Sequence, residues 1–539
     1  MENNGNWQQI VAEKDARIAE LEVLVKFYEE QFRLSKSKIF GASSEKGILP
    51  EQLGLFDEAK NAADSNIQKL DLEQITYARR KRVGKREDDL SVLPVEIILH
   101  KLSAEDRICP ECSGSLHEMG HDVRRELKII PAQVKVVEHN RAVYSCRNCE
   151  KNNDHVPIIK TPTPEPVIRG SLASPSAVAH IMTQKYVMHI PLYRQEQSWK
   201  RQGVALSRQT MASWVIRCAQ DWLAPLYERM RIELLKHNVL HGDESVLQVL
   251  KEPGKAPTTN SYMWLYRTSG NTMRHVILFE YQPSRSSVHP KQFLKGFKGL
   301  LHADGYAGYH TLPPEITVIG CWTHLRRKFS NALKAVPEEQ RPNSIAHEAL
   351  LKIGYLFHLE TTWKNLIPEE RHRRRLQESK PLAEQFFEWL EKLKILPKSI
   401  PGRAIHYALE QRPWLMNVYI NGQTELSNNR IENSVRPFAV GRKNWLFCDT
   451  VNGANASAVV YSVIETAIAN GLKPFEYLEF LFETIPNTTT GALDSLLPWG
   501  DALPERCRMP VNGGGNQHAE KKRGKVHDSV CTGLLGRGA

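Results

Sequence analysis

The chain has 539 residues, enough for three or four domains with cores of their own. Its 72 Lys and Arg against 61 Asp and Glu leave a net charge of +11, a balance that favours a polyanionic partner, nucleic acid before membrane. No apolar run reaches the roughly 18 residues of a membrane span, and the polar N-terminus carries no secretory signal. Of nine cysteines, four form two CxxC pairs, which points to metal binding in a reducing cytoplasm rather than to a disulfide framework. A membrane protein and a secreted disulfide scaffold are thereby excluded, and a cytoplasmic protein is expected.

In chain order, residues 8–34 read as a helix, with Val11, Ile18, Leu21, Val25, Tyr28 and Phe32 at 3–4 spacing. About three heptads of this pattern suit either a coiled coil or an amphipathic helix packing within the chain. Segment 1–56 is taken as this helical region and 57–100 as a charged linker that includes the basic knot Arg79–Arg82. In segment 101–155, Cys109-x2-Cys112 and Cys146-x2-Cys149 sit in turn-forming sequence and frame two strand-like runs, Val123–Ile130 and Val134–Tyr144. Four thiolates on two knuckles close a tetrahedral Zn²⁺ site with no open position, so the zinc is structural.

Segment 156–236 opens with a Pro-rich linker, 156–176, and continues into two helical runs, Leu192–Arg201 and Ser207–Cys218, joined through Gly203. This is the pattern of a helix-turn-helix, shared by other helical hairpins; Arg208 and Gln209 would then read DNA from the start of the second helix. From 237 to 330 the periodicity changes to strands: an apolar run Asn238–Glu244 that ends on acid and is followed by Val246–Leu250, then Tyr262–Arg267, His275–Tyr281, a strand from Gly299 that ends on Asp304, and Ile316–Cys321. Helices are expected between the third and fourth strands, between the fourth and fifth, and after the fifth, an α/β pattern with a central sheet. Segment 331–425 is helical and charged, an insertion that contains the basic run Arg371–Arg375.

Segment 426–485 begins with SNNRIENSVRPFAVGRKNWLF, where Ser427 is the expected N-cap and Pro437 is expected to end or kink the helix. Asn429, Glu432 and Arg436 share its polar face, and Trp445–Phe447 reads as a strand. Two more helices, Gly453–Asn470 and Pro474–Thr484, follow. The tail, 486–539, is expected to be disordered beyond 501.

Asp243 and Asp304 stand at the C-terminal ends of predicted buried strands, with Glu432 on a helix beside them. Three carboxylates together repel one another unless a cation joins them. An all-oxygen pocket suits Mg²⁺ or Mn²⁺, which can activate a water or a 3′-hydroxyl and stabilise the leaving oxygen of a phosphodiester. Each aspartate alone is equally readable as a strand-end turn residue. Glu244 points to the opposite face and is the weaker candidate.

The blocks HGDESVLQVL around Asp243, HADGYAGY around Asp304, CWTHLRRKF from Cys321 and NNRIENSVRPFAVGRKNWLF around Glu432 occur in that order, with LGLFDE at 53–58 and the two CxxC knuckles upstream. On these residues the chain resembles the IS66 family of bacterial insertion-sequence transposases from about residue 10 to 500. The resemblance implies a multidomain α+β protein with an RNase H-like α/β catalytic core, a helical insertion, and an N-terminal helix, zinc ribbon and helical DNA-binding region before it. It implies Asp243, Asp304 and Glu432 as a metal-binding DDE triad, His324 as an accessory active-site residue, and an N-terminal region for DNA binding and oligomerisation. Two departures stand out: Ser245-Val246 replaces the usual Thr-Pro, and some forty residues follow Trp499.

The expected function is DNA transposition, with cleavage at terminal inverted repeats followed by strand transfer. Arg326, Arg327, Lys328, Arg436, Arg442 and Lys443 are expected on phosphates, and Asn429 on strand ends or in fixing its helix. Expected partners are double-stranded DNA, further copies of the chain and helper proteins of the same element. A catalytically silent DNA-binding derivative and a metal-dependent nuclease on the same fold are the alternatives.

Overall fold

A computed structural model describes residues 133–145, 158–270, 272–488 and 490–510, with Lys14, Ile18, Leu21, Val25, Tyr28, Glu29 and Phe32 of the N-terminal segment. Those seven positions are helical and exposed, so the apolar positions among them face solvent in the single chain. Cys109, Cys112, Cys146 and Cys149 lie outside the described residues, as do most of the linker and the tail beyond 510.

The first described strands, β1 (Val143–Ser145) and β2 (Ile158–Lys160), pair antiparallel. The strand expected over Val134–Tyr144 is thus confined to its end, and the Pro-rich linker contains β2, because TPTPEP begins only after Lys160. Then come α1 (Pro175–Tyr186), α2 (Leu192–Arg201) and α3 (Arg208–Cys218), a π-helical turn at Ala219–Leu223, and α4 (Ala224–Leu234). The α2–α3 hairpin forms as expected. Gly203 adopts φ +81°, open to glycine without cost, while its N–H and that of Val204 bond the carbonyls of Lys200 and Trp199. Ser207 Oγ then accepts the Thr210 N–H (3.1 Å) and starts α3.

The central sheet comprises β3 (Val239–Lys251), β4 (Asn260–Thr268), β5 (Ile277–Gln282), β6 (Gly299–Ala303) and β7 (Ile316–Gly320), with the short α5 (Val288–Phe293) between β5 and β6. Its order is β5-β4-β3-β6-β7: the first three strands are an antiparallel meander, and β6 and β7 run parallel to β3. The helix expected between β6 and β7 is only a 3-10 turn, Tyr309–Thr311, since Pro313 and Pro314 follow at once and cannot continue a helix.

Alternating residues divide the sheet between two cores. Leu240, Leu301 and Val318 face one, shared with α1, α3, α4 and the C-terminal helices, whereas Val239, Leu300 and Ile319 face the helical insertion. Helix α6 (Trp322–Ala335) leads into that insertion, which runs through α7 (Ile345–Thr362), α8 (Pro368–Arg374), α9 (Lys380–Lys392) and α10 (Ile400–Met416). Its basic run is largely consumed internally. Arg373 and Arg374 pair with Glu370, Arg371 bonds the carbonyls of Lys364, Leu366 and Gly422, and Arg375 is buried against Glu360.

Next is α11 (Asn429–Trp445), which continues past Pro437. The expected stop fails because Ile431, Ser434, Phe438 and Gly441 keep a 3–4 spacing across the proline and are all buried. An interior proline costs about 3 kcal/mol, an amount that burial of Phe438 against Phe279, Tyr461 and Trp445 offsets in large part. Asn428, not Ser427, occupies the N-cap, while Ser427 Oγ accepts the Asn429 N–H (2.9 Å). Trp445 belongs to the helix, Leu446 turns the chain at φ +67°, and the expected strand is displaced to β8 (Cys448–Thr450), which pairs parallel with the far end of β3.

The chain then forms α12 (Val451–Ala469) and α13 (Pro474–Thr484). Ser462, Thr466 and Asn470 use the i, i+4, i+8 face of α12 and the residue after it to bond the backbone of 275–279 along the edge of β5. Helical side chains thereby satisfy an otherwise open sheet edge. Disorder beyond 501 is also corrected in part: Leu503 and Cys507 are buried, and the Cys507 carbonyl accepts the Lys473 N–H (2.7 Å). Among the described residues no helix is long and apolar enough to cross a membrane.

Candidate carboxylate site

Parallel pairing of β3 with β6 sets His241 opposite His302. Two residues further along each chain, on the same face, come Asp243 and Asp304. The result is two tiers: a buried, stacked pair of imidazoles (centroids 5.2 Å apart, 8° between planes), and beyond it the two aspartates, Asp304 just past the end of β6 and Asp243 inside β3, which runs on to Lys251 instead of ending at the acid as expected. Burial holds both imidazoles neutral, pushing His241 down to about 4 and His302 to about 3.

Glu432, in the first turn of α11, faces the same place. Burial pushes the Asp243 carboxyl up to about 8, and the negative charges of Glu244, Asp304 and Glu432 reinforce the shift against one backbone hydrogen bond from Glu244. The other two expected carboxylates, Asp304 and Glu432, are therefore near enough for their charges to act on Asp243. Arg327 Nη2 lies 3.4 Å from Glu432 Oε2, and His324 Nε2 lies 3.8 Å from Oε1. Burial and Arg327 lower the His324 pKa, while Glu432 and Asp304 oppose them. Glu432 Oε1 is buried without a hydrogen-bond partner, an orphaned acceptor facing His324.

This all-oxygen set, with one imidazole beside it, has the donor chemistry of a hard divalent cation. Among the described residues, no three such side chains stand close enough to enclose a cation as they are. The chemistry of the donors fits; closure requires side-chain rotation.

Several groups here carry no sequence signal. Glu244 does point to the opposite face, but it is buried (3 % exposed) and held by Arg285 and by the Tyr309 hydroxyl (3.0 Å). Arg285 in turn stacks on Tyr306 and lies 3.8 Å from Asp304 Oδ2, joining both faces at the strand end. Tyr407 of α10 brings the insertion to the rim: a Cβ on Gly305 would lie 2.6 Å from its hydroxyl, so a larger residue after Asp304 would have to displace that ring.

The remaining expected residues divide by location. Asn429, Arg436 and Lys443 recur every seven residues and line the exposed side of α11. Arg442 is half-buried and reaches Ser245 Oγ (3.3 Å). Arg326 stacks over Phe357 and Lys328 over Tyr407, which leaves Arg327 as the member of that run aimed at the carboxylates. Arg208, over Tyr193, and Gln209 belong to the α2–α3 hairpin, outside the carboxylate cluster.

Comparison with known proteins adds an independent finding. A model described as the transposase IS66 family matches residues 170–456. Models of the zinc-finger binding domain of transposase IS66, of the IS66 C-terminal element and of the transposase C of IS166 homeodomain match 106–150, 462–499 and 28–98. Two uncharacterized proteins of Sinorhizobium fredii are similar over most of their length. The protein y4jD is 30% identical over 74% of this chain and 79% of its own, and y4hP is 31% identical over 72% and 73%.

Proposed function

Because the chain belongs to the IS66 family of transposases, we propose that it binds the terminal inverted repeats of its element, cleaves the DNA there and joins the freed ends to target DNA. What supports this reading is that Asp243 and Asp304, carried by the adjacent parallel strands β3 and β6, and Glu432 of α11 lie near enough for their charges to act on Asp243, while Glu432 Oε1 lacks a hydrogen-bond partner. A mixed sheet with one acid on β3 and another just past the end of the adjacent parallel β6 agrees with an RNase H-like core.

Asp243, Asp304 and Glu432 would hold Mg²⁺ or Mn²⁺, which supplies activation of the attacking oxygen and stabilisation of the leaving one. The chain's own part is to position. β3 and β6 set the two aspartates side by side, and α11 brings Glu432 to them from a rigid element. Arg327 holds Glu432 and is placed to take a phosphate oxygen when that carboxylate turns to a cation, with His324 beside the pair. Arg436 and Lys443, on the exposed side of α11, and Arg442 near the end of β3 would fix the DNA backbone, the contacts that give affinity rather than sequence choice. Arg208 and Gln209 at the start of α3 would read base edges. Cys109, Cys112, Cys146 and Cys149, within the zinc-finger match, would hold a structural Zn²⁺.

The test is Mg²⁺-dependent cleavage and strand transfer on DNA carrying the element's ends. Glu432→Gln should lower cleavage by at least about 10³-fold while leaving DNA affinity within about twofold. Normal cleavage by that variant would remove Glu432 from the reaction, and cleavage without strand transfer would make the protein a nuclease.

A further inference from the structure

Segment 425–428 is fastened to every element that supplies a group to the carboxylate site. The Glu425 carbonyl bonds His302 Nε2 (2.6 Å) on β6, and the Leu426 carbonyl accepts the Trp322 N–H (2.9 Å) at the start of α6, the helix of His324 and Arg327. Asn428, only 1% exposed, does the most. Its Nδ2 donates to the Gly242 carbonyl (3.1 Å), beside Asp243; its Oδ1 meets His241 Nδ1 (2.7 Å); its N–H donates to Cys321 Sγ (3.1 Å). Its own carbonyl accepts the Glu432 N–H (3.3 Å), the first helical bond of the residue that carries the third carboxylate.

These bonds determine the proton positions. Since Asn428 Nδ2 must donate to a carbonyl, Oδ1 is an acceptor, and His241 carries its proton on Nδ1. His302 likewise donates from Nε2 to the Glu425 carbonyl. Each ring then keeps one buried nitrogen, His241 Nε2 and His302 Nδ1, with no partner. Two orphaned acceptors in a core are costly, and a packing role alone would be met by apolar side chains of the same shape. What the imidazoles provide is direction: a donor toward Asn428 from β3 and a donor toward Glu425 from β6.

We propose that Asn428, seated on the stacked His241–His302 pair, is a positioning residue that sets Glu432 against Asp243 and Asp304, so that the three carboxylates bind a divalent cation together. The inference rests on the proposed role of those carboxylates. Helix α11 is a rigid lever, so a slip of the Asn428 contact moves Glu432, one turn away, by a similar distance.

Mn²⁺ alone, titrated by electron paramagnetic resonance into the zinc-loaded full-length protein, tests this without any reaction. In Asn428→Ser the hydroxyl still caps a helix but cannot span His241 and Gly242, and it should weaken Mn²⁺ binding at least tenfold with circular dichroism unchanged. Phe438→Leu, in the core of the same helix, should lower the Tm yet leave Mn²⁺ affinity within twofold. His241→Phe, which keeps the ring but not the donor, should weaken binding as Asn428→Ser does and serves if that variant fails to fold. Folded Asn428→Ser or His241→Phe binding like wild type would overturn the positioning role, as would equal weakening by Phe438→Leu. Wild-type protein that binds no Mn²⁺, or a Glu432→Gln variant that binds it normally, would instead overturn the carboxylate reading beneath it.

Discussion

At the scale of single residues, the site is built from charge held where charge is unwelcome. The Asp243 carboxyl sits at about 8 in the cation-free protein, against about 4 in an unfolded chain. The native state therefore keeps a proton that the unfolded state releases, and stability falls as pH rises from about 4 to 8. Asp243→Asn removes that fall. In magnesium-free buffer it should be more stable than wild type by roughly 3–5 kcal/mol at pH 9, with the difference vanishing near pH 4, as urea unfolding across pH would measure. Arg375 is the opposite case, a buried charge fully answered. It makes two 2.6 Å bonds to Glu360 and further bonds to the Asn421 and Thr424 carbonyls, tying down the approach to α11. Arg375→Met leaves Glu360 unpaired and should cost about 3–5 kcal/mol in the same assay.

At the scale of elements, the strands were legible because each alternates or runs apolar into an acid or a turn, and all five occur within a few residues of their expected bounds. Helix α11 was misjudged at both ends. A proline is a strong local signal, whereas burial of Phe438 is a tertiary fact that outweighs it. The role of α12 was equally hidden: Ser462 and Thr466 read as small helical residues, yet they serve the backbone of β5. Replacing both with alanine strands the Ile277 and Phe279 N–H groups in the core and should cost about 2–5 kcal/mol, read from the denaturant midpoint at constant m.

At the scale of the whole molecule, the carboxylates come from β3, from the end of β6 and from α11, with the helical insertion between the last two. Cation binding at such a point links the elements to one another, so Mg²⁺ should raise the Tm of the wild-type protein. At one hundred times its Kd the gain is about 2.7 kcal/mol, and differential scanning calorimetry should find it absent in Asp243→Asn and in Glu432→Gln. The insertion itself does more than space the chain, since its Tyr407 closes over Gly305.

By itself the sequence determined the family, the strands and the helical character of 331–425, because alternation and four motif blocks are local and ordered along the chain, and it nominated Asp243, Asp304 and Glu432 as the acids to test. Only the tertiary structure decided the order β5-β4-β3-β6-β7, the second carboxylate–arginine pair at Glu244, and the bonds that join Asn428 to His241 and Glu425 to His302. Each of these joins residues far apart in sequence, and their partners are chosen by strand pairing and burial, which no local pattern of residues records.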